Sequence, residues 1–168
     1  MKDVKKAVCL ALAALTLALS WGCTGSSDPD ESGVDTETIG QAMMAIDTTL
    51  PEMVVKTSRD DDAKDSFFYL SDLDYGKVEE YFYAFADAGT AEEMAVVKLK
   101  DAGDAAKLMD SLHDHIEARQ GTFREYDPEQ LPLTEDAVII REGRYVALIV
   151  SEKNGLAQKE FRAFFQTD

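Results

Sequence analysis

The chain has 168 residues, 45% of them hydrophobic and 30% charged, and a net charge of −16. That length supplies one domain with a sizeable core rather than two, and the composition is that of a chain that folds. So acidic a surface repels phosphate backbones and excludes nucleic acid as a partner, and the charge itself reads as a solvated surface rather than a cation-binding device.

Residues 1–22 read as an export signal: Lys2, Lys5 and Lys6 make a basic start, Ala7 to Leu19 an apolar run, and small residues precede Cys23. The run is shorter than the ~20 residues a permanent span needs. If signal peptidase cut after Ser20, Cys9 would leave with the leader and Cys23 would remain as a lone thiol in an oxidising compartment. The alternative is that Cys23 carries lipid. Leu19 to Cys23 (LSWGC) resembles a bacterial lipobox, a Leu-like residue, two small residues and Cys. Gly22 fits, but Ser20 stands where Leu, Val or Ile is usual, and Trp21 where Ala or Ser is common. Lipidation is the leading expectation, ahead of soluble secretion and of an uncleaved anchor.

Residues 23–35 continue as the cysteine and a Gly-, Ser-, Pro- and acid-rich tether, Thr24 to Asp35, with no core-forming run. Fully extended it reaches ~40 Å; as a coil it averages ~20 Å. Two or three acyl chains on Cys23 would anchor such a domain stably at the outer face of the cell membrane, where one chain is marginal.

Residues 36–168 are expected to form a single α+β domain. Ile39, Ala42, Met43, Ile46 and Leu50 share one helical stripe that Asp35 or Thr36 can cap and Pro51 stops. Met43 reads as core filling and Met44 as its flank. Residues 56–66 read as a charged loop. Its Asp60, Asp61, Asp62 and Asp65, like Asp72, Asp74 and Gly76, match a calcium loop only in part, since the central glycine and distal glutamate are missing. Tyr81 to Ala86 and Met94 to Lys100 read as a hairpin whose second strand turns Ala95, Val97 and Leu99 inward and Lys98 and Lys100 to water. A long helix from near Asp101 carries Ala105, Leu108, Met109, Leu112, Ile116 and Phe123, with Gly121 bending or ending it. A second hairpin follows, Ala137 to Arg141 and Tyr145 to Val150 about a Glu142-Gly143 turn, its unbroken apolar strand pointing to the middle of the sheet. Leu156, Ala157, Phe161, Phe164 and Phe165 mark a closing helix. The predicted order is α-ββ-α-ββ-α: a four-stranded antiparallel sheet from two hairpins, in two similar halves, with helices packed on one face and the other face left to water or a partner.

Taken together, the lipobox-like cysteine, the acidic tether, Ala95-Val96-Val97-Lys98, Tyr126-Asp127-Pro128-Glu129 and Gly143-Arg144-Tyr145-Val146 before a hydrophobic strand resemble a family of Gram-positive bacterial lipoproteins whose domain is known as domain of unknown function 4358. The resemblance spans roughly residues 36 to 166. It implies an exported, lipid-anchored protein with no assigned activity and no catalytic residues to carry over.

The residues themselves name no chemistry. After Cys23 the mature chain has no cysteine for thiol catalysis or thiolate metal sites. His113 and His115 are the only histidines; two residues apart on a helix they are turned ~200° from each other, so they do not share a metal and read as helix-surface residues. No Gly-x-Ser-x-Gly elbow and no Gly-rich phosphate loop is present, and no cofactor is indicated. Tyr81, Tyr83 and Phe85 share one strand face, which must find cover either within the fold or from a ligand. The reading is a non-enzymatic binding domain at the cell envelope, its partner an envelope protein or a small ligand, with a carboxylate-pair envelope hydrolase as the rival.

Overall fold

The computed structural model describes residues 33–166. The signal segment, Cys23 and most of the tether lie outside the described residues. Helix α1 (Thr36–Ile46) leads to strand β1 (Met53–Thr57), helix α2 (Ala63–Leu70) and the hairpin β2 (Val78–Ala86) and β3 (Glu93–Leu99). Helices α3 (Ala105–Tyr126) and α4 (Leu131–Glu135) precede the second hairpin, β4 (Val138–Glu142) and β5 (Tyr145–Val150), and α5 (Asn154–Ala163) closes the chain. The architecture is α+β, with an antiparallel sheet in the order β1-β2-β3-β5-β4.

The sheet has five strands, not four. The fifth is β1, paired along β2 from Met53 opposite Ala86 to Thr57 opposite Phe82. Its short run MVVKT, next to the Asp-rich stretch, has only a weak alternation of its own, so pairing to β2 is what makes it a strand. Likewise, what reads as a loop before the aromatics becomes α2, which buries Ala63, Phe67 and Leu70 while leaving Phe68 and Tyr69 73% and 78% exposed.

Helices cover both faces, which corrects the one-faced arrangement. On one face α2, α3 and α4 pack over Tyr81, Tyr83, Ala95, Val97, Leu99, Val146 and Leu148. On the other, α1 and α5 bring Ile39, Met43, Ala157 and Phe161 against Met94, Val96, Tyr145, Ala147 and Ile149. Every residue of β3 and β5 is consequently buried. The two hairpins meet through β3 and β5, yet the helix after the first lies on one face and the helix after the second on the other. The halves are therefore not equivalent.

Lys98 does not reach open water. It is buried on the α1/α5 face, with Nζ 2.8 Å from Glu79 and 5.4 Å from the Tyr145 ring centroid. A shift of register between Val78 and Glu80 brings Glu79 into this position, where Arg144 Nη1 also reaches it at 2.6 Å.

Two local devices, the Asp35 cap and the Gly143 turn, set element ends. Asp35 caps α1, its carboxylate accepting from the Thr38 N–H. Leu50 falls outside α1, which stops at Ile46. The β4–β5 turn is Gly143-Arg144, because Glu142 still pairs with Tyr145, and Gly143 takes the positive φ of 57° that a tight hairpin needs. Gly121 does not end α3, which runs on to Tyr126.

Candidate functional site

Strands β1 and β2 and helix α2 enclose a cleft of about 370 Å³ lined by Lys56, Asp62, Ser66, Tyr69, Tyr83 and Phe85. Its floor follows from strand periodicity: Lys56 stands opposite Tyr83 and Val54 opposite Phe85, so these side chains share the face that α2 only partly covers. The rings of Tyr83 and Phe85 lie 5.2 Å apart at 41°, a tilted aromatic pair. Tyr69 rises from α2 as an exposed wall. At the rim the Lys56 ammonium meets the Asp62 carboxylate at 2.8 Å.

Behind the floor is a group of side chains that sequence spacing does not bring together. Glu93, at the start of β3, has no solvent exposure. Its carboxylate accepts from the Tyr83 hydroxyl at 3.0 Å, lies 3.1 and 3.0 Å from Nε2 of His115, and is 3.2 Å from the Arg119 Nε. His115 and Arg119 stand four apart on α3, one turn above the other, which lets both reach the same buried acid. An Arg119 Nη also donates to the Thr90 carbonyl, and its guanidinium stacks 5.1 Å from Phe123. Burial, and after it the charge of Glu93, pushes the Tyr83 hydroxyl far above its ordinary pKa of 10.0. Tyr83 is therefore a neutral donor at any physiological pH.

A shallower recess of about 210 Å³ adjoins the cleft across Tyr69 and is lined by Phe68 to Asp72, Ser111, Asp114 and His115. The Ser111 hydroxyl sits one turn before His115 but is engaged elsewhere: it lies 2.8 Å from the Ser71 hydroxyl and accepts from the Asp72 N–H at 3.0 Å. These bonds tie the end of α2 to α3.

The three aromatics singled out from the sequence separate here. Tyr81 is fully buried, its ring against Phe67 and its hydroxyl donating to the Ala63 carbonyl at 2.7 Å, so it belongs to the core and not to a surface. Tyr83 and Phe85 reach the cleft. His113 is an exposed helix residue, but His115 is not; its side chain is 13% exposed and faces Glu93. Sequence reasoning missed Glu93 because it sits beside Glu92 in an acidic chain, and nothing local marks which of two adjacent acids points inward. The signal that could find it is strand parity: Glu93 shares a face with Ala95, Val97 and Leu99.

Three of the aspartates, Asp60, Asp62 and Asp74, serve local geometry. Asp60 accepts from the Thr57 N–H, Asp62 pairs with Lys56, and Asp74 accepts from the Gly76 N–H. Among the described residues no group of three or more His, Cys, Asp or Glu side chains is placed to hold a metal ion.

Residues 54–151, from β1 to just past β5, match the family described as domain of unknown function (DUF4358). The chain belongs to this family. The matched span takes in the whole DUF4358 sheet apart from Met53, with α2, α3 and α4, and so every residue of the cleft and of the Glu93 group; α1 and α5 flank it. No curated protein and no solved structure matches the chain.

Proposed function

We propose that this DUF4358 protein is exported, carries lipid on Cys23, and holds its domain at the outer face of a bacterial cell membrane to bind a ligand in the α2–β1–β2 cleft. The observation that carries the binding reading is the cleft itself. A concavity of about 370 Å³ with aromatic walls and a few polar groups has the size and lining of small-molecule sites, which run from about 300 to 1,000 Å³. An exposed tyrosine beside such a cleft adds a rigid amphipathic contact. Binding is favoured over catalysis because the serine that could complete a catalytic set with His115 and Glu93 is held by Ser71 and Asp72 instead. The anchor reading is supported by the apolar leader, the Gly22-Cys23 pair and the absence of a second cysteine in the mature chain. Among the described residues no helix is long and apolar enough to cross a membrane.

The test uses living cells with a photoreactive residue at position 69, or at Leu156, which is exposed on α5 across the sheet. A discrete adduct from position 69 alone supports the cleft as the binding site; equal labelling at both positions rejects it. In the same cells, Cys23→Ala is expected to abolish both acyl mass and membrane fractionation. Retention at the membrane without acyl mass rejects the lipid anchor.

A further inference from the structure

We propose that the ligand of the α2–β1–β2 cleft is an uncharged saccharide, a pyranose ring or short oligosaccharide lying against the aromatic wall with its hydroxyls shared by Lys56, Asp62 and Ser66; this rests on the binding reading above. Three features of the cleft select that class. The first is charge. The Lys56 ammonium and the Asp62 carboxylate are 2.8 Å apart and compensate each other. The hydrogen bond that Lys56 donates to Asp62 raises the Lys56 pKa above its ordinary value and lowers that of Asp62 below its own. An anionic ligand would find no free cation in the cleft lining and would approach a chain of net charge −16. A cationic ligand would have to displace Lys56 from Asp62.

The second feature is the pairing of a donor with an acceptor. Lys56 offers N–H donors, Asp62 offers acceptor oxygens, and Ser66 offers a hydroxyl that does either. Neighbouring hydroxyls on a sugar ring each donate and accept, so they can bridge such a pair without leaving either charge unpaired. A ligand without hydrogen-bonding groups would leave the pair's bonds to water unreplaced.

The third is shape. Tyr69 presents an exposed aromatic ring beside the tilted pair Tyr83 and Phe85. An aromatic face carries partial negative charge and accepts weakly positive C–H groups. A pyranose has C–H groups on its face and hydroxyls around its edge, which matches an aromatic wall with a polar rim.

The experiment titrates the full chain with tri-N-acetylchitotriose, maltotriose and cellotriose, followed by saturation-transfer and amide NMR. Saturable binding of at least one is expected, with the strongest transfer to ring C–H protons and the shifted amides clustered on β1, β2 and α2. Tyr69→Ala, a change at an exposed position, is expected to weaken that binding about tenfold. Asp62→Asn and Lys56→Met should each weaken it by a similar factor, with amide spectra otherwise unchanged. Absence of saturable binding of all three up to about 10 mM, a range in which even millimolar affinity would register, overturns the saccharide proposal. So does binding unaffected by Tyr69→Ala and by both rim variants. If a charged compound or a peptide instead saturates the same amides, the saccharide proposal falls and the binding domain stands. Equal photolabelling at positions 69 and 156 removes both.

Discussion

Glu93 shows how one residue can be ordinary in sequence and decisive in space. It is a fully buried acid whose burial is tolerable only because Tyr83, His115 and Arg119 all address its carboxylate. Removing one member of such a group leaves the others desolvated and unpaired, which costs more than the group contributes as a whole. Glu93→Ala is therefore expected to destabilise the domain by about 3 kcal/mol, and Glu93→Gln, which keeps the shape and some hydrogen bonds, by about 1 to 2 kcal/mol. Urea unfolding checks this: the midpoints should fall in that order with the slope unchanged. Equal midpoints for Glu93→Ala and the wild type would show that the buried group contributes nothing to stability. At this scale the sequence is least legible, since the acids number 33 and their types alone do not separate Glu93, in the core, from acids that meet water.

Among the elements, α1 and α3 give opposite answers to the same substitution. Gly40 of α1 lies on the ring of Phe82, and a β-carbon there would come within 2.1 Å of the ring Cδ1. Phe82 is fully buried, so it cannot swing away. Gly40→Ala therefore sets an overpacking cost of about 1 to 3 kcal/mol against a helix-propensity gain of about 1 kcal/mol, and a clash this close puts the cost at the upper end. The expected result is a lower melting temperature. Gly121 of α3 has nothing within 4 Å of its would-be β-carbon, and Gly121→Ala should raise the melting temperature by the propensity gain alone. A shift of the same sign in both variants would mean that α1 does not approach β2 this closely. The three helices and four strands with strong periodicity, α1, α3, α5, β2, β3, β4 and β5, were readable from sequence; β1 and α2 were not, because each is short and acquires its regularity from contact with β2.

Across the molecule, acid stability follows the ion pairs that hold the sheet's edges and faces. Glu79 is held below its ordinary pKa of 4.5 chiefly by the hydrogen bond from Lys98, with Arg144 adding to it against the opposing effect of burial. Asp47 is also lowered below its ordinary 3.8, although burial, the largest single influence on it, acts the other way; hydrogen bonds from Thr49, Ser151 and Lys153 together outweigh it. A depressed carboxylate contributes its stability in full above the unfolded value and loses it as pH falls through the folded one. The stability difference between wild type and Glu79→Gln is therefore expected to be constant from neutral pH down to about 5 and to shrink below about 4. Thermal unfolding across that range measures it, and a difference that grows on acidification would reverse the sign assigned to Glu79.

Composition and periodicity alone determined the acidic character, the two hairpins, the long helix and the closing aromatic helix, because charge and apolar spacing are local properties of a chain. They also placed Tyr83 and Phe85 on a shared strand face. Only the tertiary structure decided that the sheet gains a fifth strand, that helices cover both of its faces, that Tyr81 belongs to the core, and that Glu93 and His115 meet behind the cleft. Those outcomes depend on which elements come together across long stretches of sequence, and a one-residue change of strand parity or helix face would have decided each of them differently.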